Sequence, residues 1–222
     1  MYLRHSRALI IVIFILAFSC KQKEMIFSED DAVSVWQRKY GGNGIDIAYS
    51  ICPAKEGGYL VAGYTESYGA GGRDVYLLKI DENGNKVWER TYGGRSDDKA
   101  YSICPASGGG YVVAGYSGGD VYLLKIDENG NKVWERTYGG SSSDYAYSIC
   151  PAPGGGYVVA GYTWSYGAGC SDVYLLKIDE NGNKVWERTY GGSNYDEAYS
   201  ICPASGGGYV VAGYTGSYGA GF

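Results

Sequence analysis

Histidine is nearly missing from this chain. The single His5 lies within the first twenty of 222 residues, so the remainder cannot build a Ser-His-Asp triad, a Cys-His pair or a His-ligated metal site. Basic charge is scarce as well. The formal net charge is −5, and it becomes −7 once residues 1–20 are set aside, because that stretch carries Arg4 and Arg7 and no acid. This is no basic footprint for nucleic acid. Closely spaced cysteine pairs are absent too: Cys52, Cys104, Cys150 and Cys202 stand alone, which argues against structural zinc. The chain is rich instead in glycine (37) and tyrosine (25), a composition of turns and strand formers rather than helices. With 45% hydrophobic and 19% charged residues it can cover a core, which argues against disorder.

The longest apolar run is Ala8 to Phe18, eleven residues behind Arg4, His5 and Arg7. It has the length of a secretory h-region and is short for a membrane span. The run leads into "LAFSC", and small Ser19 before Cys20 resembles a bacterial lipoprotein processing box, with Cys20 the lipid attachment. A cleaved soluble product and an uncleaved anchor are the other readings. The expected organisation is a signal at 1–20, a polar tether at 21–31 and repeats over 32–222.

The 21 letters "DVYLLKIDENGNKVWERTYGG" occur at 74–94, 120–140 and 172–192. "AYSICPA" begins at Ala48, Ala100, Ala146 and Ala198, giving periods of 52, 46 and 52 residues. Internal repeats of this length indicate blades or solenoids. One unit holds four expected strands: a, "AYSICPA"; b, "GYVVAGYT"; c, "DVYLLKI"; d, "KVWERTY". The Asn-Gly pair in "DENGN" predicts a c–d hairpin with both turn residues at φ > 0. Strands b and c are apolar on both faces, as in sheets covered on both sides. The expected fold is an all-β propeller of four units, each with four antiparallel strands, around an axis lined by strand a.

The phrases "GGYVVAGYT", "SYGAGG", "DVYLLKIDENGN" and "VWERTYGG" resemble the β-propeller repeats of bacterial and archaeal secreted and surface proteins. The layout is similar to a kelch blade with its outer-strand Trp, although the glycine doublet expected at the end of strand b is only Gly63, Gly115, Gly161 or Gly213. The likeness implies export and a binding or scaffolding role. A weaker resemblance is to bulb-type lectins, which implies glycan binding.

Candidate chemistry is thin. Asp46, Asp98, Asp144 and Asp196 recur just before strand a and read as turn residues that accept backbone N–H bonds after "YGG". Four symmetric carboxylates give no reason for one to become an acid. "DENGN" places Asp81, Asn83 and Asn85 at the first, third and fifth positions of a calcium loop. It puts Gly84 fourth and Tyr92 twelfth, where an EF-hand needs Gly at six and Glu at twelve. With strand a lining the axis, the four unit cysteines would form a ring, and they read as small buried hydrophobes, with a Cys₄ zinc site as the other reading. No catalytic residue, metal or cofactor is expected.

Differences between units gather on one rim. The d–a loops read "NGIDI", "RSDDK", "SSSDY" and "SNYDE", while the b–c loop shrinks by six residues in the second unit. Antiparallel order places these loops together, opposite the constant c–d turns, and loops on a rigid frame carry function. The expected binding rim is Trp164, Tyr166, Tyr68, Arg73, Arg95, Tyr145 and Tyr195, with a protein or glycan as partner, no nucleic acid, and the membrane reached only through the N-terminal lipid. A glycan-binding protein and a propeller enzyme are the alternatives.

The sequence opens with a lone strand d, Ser34 to Gly42, and its last unit supplies only strands a and b. The expectation is an open arc or a fragment of a larger ring, in which residues 34–42 do not ladder to strand b of the last unit.

Overall fold

Short apolar runs punctuated by glycine turns fold here as repeated antiparallel meanders. The computed structural model describes residues 36–219. The first sheet holds β1 (Asp46–Pro53), β2 (Tyr59–Thr65), β3 (Asp74–Ile80) and β4 (Lys86–Tyr92). The second holds β5 (Asp98–Pro105), β6 (Tyr111–Ser117), β7 (Asp120–Ile126) and β8 (Lys132–Tyr138). The third holds β9 (Asp144–Pro151), β10 (Tyr157–Thr163), β11 (Asp172–Ile178) and β12 (Lys184–Tyr190). The fourth has only β13 (Asp196–Pro203) and β14 (Tyr209–Thr215). No helix occurs among the described residues, and no ladder joins the first sheet to the last. The architecture is all-β and propeller-like, and it is open.

The sheets are held by apolar side chains stacked between them. Leu60, Ala62, Val75 and Leu77 of the first sheet pack against Ile103, Tyr111, Val113 and Leu124 of the second. The next joint repeats the pattern with Val112, Ala114, Val121 and Leu123 against Ile149, Tyr157, Val159 and Leu176. Each full burial of a Leu or Val is worth roughly 1.5–3 kcal/mol, so these joints dominate stability. The strands that begin each unit are wedged against the preceding sheet: β5 touches β1, β2 and β3, and β13 touches β9, β10 and β11. Outer strands lie half open, yet Trp88 and Tyr92 of β4 still cover the edge of the first joint.

The leading segment takes the place of an outer strand without pairing as one. Trp36 Nε1 donates to Glu82 O at 3.2 Å and Tyr40 Oη to Gly84 O at 2.5 Å. Trp134 and Tyr138 of β8 make the same bonds to Glu180 O and Gly182 O of the following unit. Residues 36–42 thus cap the first sheet and ladder with no strand, β14 included. Residues 34 and 35, the signal, Cys20 and the tether lie outside the described residues.

The c–d hairpin forms, with its turn placed differently from expectation. Gly84 N–H donates to Asp81 O at 3.1 Å, so the turn spans Asp81 to Gly84, and Gly84 holds φ +74°. The Asn-Gly pair ends the turn rather than centring it. The cause is Asp81, whose Oδ1 accepts the N–H groups of Asn83 and Asn85, both at 2.8 Å. Its Oδ2 takes Asn85 Nδ2 at 2.9 Å, so both oxygens are engaged inside the turn.

Candidate functional site

The rim is organised by the aspartate that opens each unit's first strand. Asp46 accepts Gly42 N–H at 2.8 Å from the loop before it, and it accepts the hydroxyls of Thr65 and of Ser67 (2.8 Å) from the loop after β2. Asp196 repeats this with Gly192, Thr215 and Ser217, and Asp144 with Gly140 and Ser165. Asp98 keeps only its bond from Gly94 N–H at 2.7 Å, because the shortened second loop lacks the Thr-x-Ser. Burial works to raise the Asp196 pKa, but the bonds from Ser217, Thr215 and Gly192 outweigh it and hold the carboxyl below its ordinary value. Asp46, Asp144 and Asp196 tie together the two variable loops that flank them, and all four carboxylates are buried.

Directly beneath the loops, each first strand carries a β-bulge. The register slips between Ala48 and Ser50 against β2, leaving Tyr49 as the extra residue. The same slip sets out Tyr101, Tyr147 and Tyr199. A bulge re-aims its side chain, and here four tyrosines turn toward the axis. Glycine permits it: a Cβ on Gly63, Gly115, Gly161 or Gly213 would stand 1.7–1.9 Å from a carbonyl oxygen of the facing strand. The single glycine that departs from the kelch doublet therefore has a structural task.

The four tyrosines border one cavity of about 360 Å³. Ring centroids run 5.0 Å from Tyr49 to Tyr101, 4.9 Å to Tyr147 and 5.6 Å to Tyr199. Tyr145 extends the arc, stacked between Tyr116 at 4.5 Å and Tyr162 at 4.9 Å. Burial raises the pKa of Tyr101, Tyr147 and Tyr162. The hydrogen bond to Glu197, with burial, pushes Tyr199 up to about 12. At neutral pH Tyr101, Tyr147, Tyr162 and Tyr199 are therefore uncharged phenols, suited to stacking and hydrogen bonding.

The register also explains what varies. Ile47, Lys99, Tyr145 and Glu197 follow the four aspartates and face Tyr64, Tyr116, Tyr162 and Tyr214 of the next strand. The Lys99 ammonium sits 5.8 Å from the Tyr64 ring centre and 6.0 Å from that of Tyr116. Arg73 lies over Tyr64 at 5.2 Å, its Nε bonded to Glu66 at 2.8 Å and its Nη1 reaching Asp97 at 3.4 Å.

The remaining rim residues divide. Trp164 is 48% exposed and meets Tyr195 edge-on at 5.8 Å. Arg95 is exposed, with no ion pair among the described residues. Tyr68 and Tyr166 turn away from the arc, onto Tyr76 and Tyr174 of the third strands, and donate to Gly41 O and Gly139 O at 3.0 and 2.5 Å. They brace one loop against the other. The second unit has no such tyrosine, and a cavity of about 330 Å³ opens there beside Gly93, Gly94, Tyr122 and Glu135.

The unit cysteines sit one per sheet. Cys52, Cys104 and Cys150 are buried in three separate joints between sheets, while Cys202, at the same place on the last sheet, is exposed. Burial pushes the thiols of Cys52 and Cys104 up to about 12. Among the described residues no group of three or more His, Cys, Asp or Glu is placed to hold a metal.

Sequence reasoning missed the axial tyrosines. Their signal was the invariant Tyr of "AYSICPA" paired with the invariant Gly of "AGY", two positions that an unbulged ladder does not explain.

No family model matches this chain, and no curated protein matches it. Among solved structures it is similar to a protein of unknown function from Bacteroides caccae, at 15% identity and TM-score 0.48, over 74% of this chain and 52% of that one. It is also similar to a eukaryotic initiation factor, at 11% identity and TM-score 0.42, over 67% of this chain and 33% of that one. The chain spans about half the length of the first and a third of the second.

Proposed function

We propose that this chain is an exported, non-enzymatic binding or scaffolding module, anchored at the cell envelope through a lipid on Cys20. It belongs, on this reading, with the propeller repeats of bacterial and archaeal secreted proteins. One observation carries the binding role: units that are nearly identical where they pack differ along one rim. Ile47, Lys99, Tyr145 and Glu197 are four different side chains set over one repeated tyrosine surface. Near-uniform scaffolds that vary along one rim are what binding selects. The want of histidine after residue 5 supports a role without catalysis.

A glycan partner is the second reading, favoured by the exposed Trp164–Tyr195 pair and by neutral phenols that offer both ring faces and hydroxyls. Screening the protein against cell-wall polysaccharides, oligosaccharides and envelope proteins tests both readings. Tyr147→Ala and Trp164→Ala should each weaken the ligand found by about tenfold or more. Asn83→Ala, on the opposite end, should leave it unchanged, and equal loss at both ends in folded variants refutes the one-face reading. Cys20→Ser should release the protein from membranes; unchanged membrane association refutes the anchor.

A further inference from the structure

Three of the four units seat a tyrosine of their own at one spot on the rim. In the first, the Tyr68 ring lies against Tyr76 with centroids 6.1 Å apart, and its Oη donates to Gly41 O at 3.0 Å. In the third, Tyr166 repeats this on Tyr174 at 6.0 Å and on Gly139 O at 2.5 Å. In the fourth, Tyr218 donates to Gly191 O at 2.7 Å. The serine before each tyrosine donates its hydroxyl to the aspartate that opens the unit: Ser67 to Asp46, Ser165 to Asp144 and Ser217 to Asp196. A Ser-Tyr pair thus fills each of these places.

The second unit has the receiving half and not the pair. Gly118 and Gly119 alone join β6 to β7, at φ +58° and +118°, and so tight a turn carries no loop over the rim. Tyr122 stands where Tyr76 and Tyr174 do, and Gly93 O where Gly41 O and Gly139 O do. Both Tyr122 and Gly93 border the cavity of about 330 Å³, together with Gly94 and Ser117. Glycine reports the difference. A Cβ on Gly42, Gly140 or Gly192 would stand 2.7–2.8 Å from the serine Cβ, whereas one on Gly94 would meet nothing within 4 Å. Asp98 is a second, independent sign. It is 1% exposed, and alone of the four aspartates it takes no hydroxyl among the described residues; its Oδ2 accepts only Gly94 N–H. Its two neighbours Gly94 and Ser117 line the cavity, so a donor placed there reaches it. A buried carboxylate gains from such a donor.

We propose that this cavity is a docking site for a serine-tyrosine segment of a partner chain. The tyrosine ring lies on Tyr122 with its hydroxyl donating to Gly93 O, and the serine hydroxyl donates to Asp98. The occupant follows from three internal copies of the same fit, not from the size of the cavity. A free phenol uses the ring face and Gly93 O and leaves Asp98 unserved. The site lies over the third strand of its unit, away from the axial tyrosines, and does not rest on a ligand in the arc.

Saturation-transfer NMR of the full chain in mild detergent, titrated with acetyl-Gly-Ser-Tyr-Gly-amide, tests this. The peptide should bind with a dissociation constant on the order of 1 mM, as suits so small a contact. Acetyl-Gly-Ser-Phe-Gly-amide and acetyl-Gly-Ala-Tyr-Gly-amide should each bind about fivefold more weakly, for want of one hydrogen bond, and p-cresol should be weaker also. Gly94 does not hold a positive φ, so Gly94→Leu is unstrained; it sets a side chain where the pair would lie and should abolish binding. Gly206→Leu, in the β13–β14 turn with as much room for a Cβ, should leave binding unchanged. No binding at roughly ten times the expected constant overturns the proposal. Equal affinity for either altered peptide or for p-cresol overturns it too, as does binding that persists in a folded Gly94→Leu protein. If Gly94→Leu loses its β spectrum, residues 66–73 grafted in place of Gly118 and Gly119 bring the chain's own Ser-Tyr pair over the cavity, and that protein must fail to bind.

Discussion

Replacing Gly161 by alanine probes the link between the packed sheet and the axial tyrosines. A Cβ built there stands 1.8 Å from Tyr145 O, 2.7 Å from Tyr145 C and 3.0 Å from the Ala146 Cα. Those are backbone atoms of β9, so no rotamer change relieves the clash, and the strand must move by more than an ångström. That motion opens the ladder at Gly161–Ala146 and removes the bulge at Tyr147. Two weakened backbone bonds cost about 1 kcal/mol each. Overpacking adds roughly 1–3 kcal/mol. The lower entropy of the unfolded alanine chain returns about 0.5–1 kcal/mol. The net loss is on the order of 2–4 kcal/mol, which for a chain of this size lowers the thermal midpoint by roughly 5–15 °C. Gly94→Ala is the control, since its Cβ meets nothing within 4 Å. Circular dichroism follows the midpoint, and the near-ultraviolet tyrosine signal reports the stack of Tyr145, Tyr147 and Tyr162. Repeat folds melt less cooperatively than single cores, so the comparison rests on midpoints within one series. A Gly161→Ala protein as stable as Gly94→Ala, with the tyrosine signal unchanged, refutes the bulge argument.

Thiol labelling separates joints from surfaces. In the folded protein, Cys170 and Cys202 should react with a disulfide reagent at pH 8 within minutes. Cys52, Cys104 and Cys150 should react only on unfolding, because they are buried and the first two titrate near 12. Rapid labelling of all five in the folded protein contradicts the packing. Acid provides a further test: Asp196 has a folded pKa depressed below its reference value of 3.8, so it contributes stability above that value, which is lost as pH falls through the folded one. The thermal midpoint should stay flat from pH 7 to about 5 and drop below 4, with a shallower drop in Asp196→Asn; an identical acid profile for both proteins counts against the role given to this carboxylate.

The fold was legible because its signals were redundant. Four copies of each strand, separated by glycine turns, leave few ways to assign the order a, b, c, d, and strands such as "DVYLLKI" that are apolar on both faces demand cover on both sides. Local chemistry was harder to read. The Asn83-Gly84 pair announces a hairpin, yet the Asp81 side chain, by capturing two backbone N–H groups, shifts where the turn closes. A dipeptide rule does not contain that competition. Cys202 shows the same limit: its letters match Cys150, and only the presence or absence of a following sheet makes one buried and the other exposed.

The proposed binding face was legible in its loops and hidden in its strands, and the reason is physical. Variation marks a surface where units differ, so Trp164, Arg73 and Tyr145 could be picked from the letters. Tyr49, Tyr101, Tyr147 and Tyr199 do not vary, and an invariant aromatic reads as core. Period-two alternation would have put them on a packed face, and a bulge of one residue turns each toward the axis instead. Backbone geometry thus converts a residue that looks structural into one that meets solvent. The residue after each aspartate then differentiates it: Lys99, paired with Asp97 at 3.9 Å, sets an ammonium beside Tyr64 and Tyr116, while Tyr145 between Tyr116 and Tyr162 makes the next stretch purely aromatic. On the proposed binding role, a ligand laid along the arc would meet a constant pattern of phenols and a changing pattern of neighbours, with affinity residing in the repeated residues and selectivity in the varied ones.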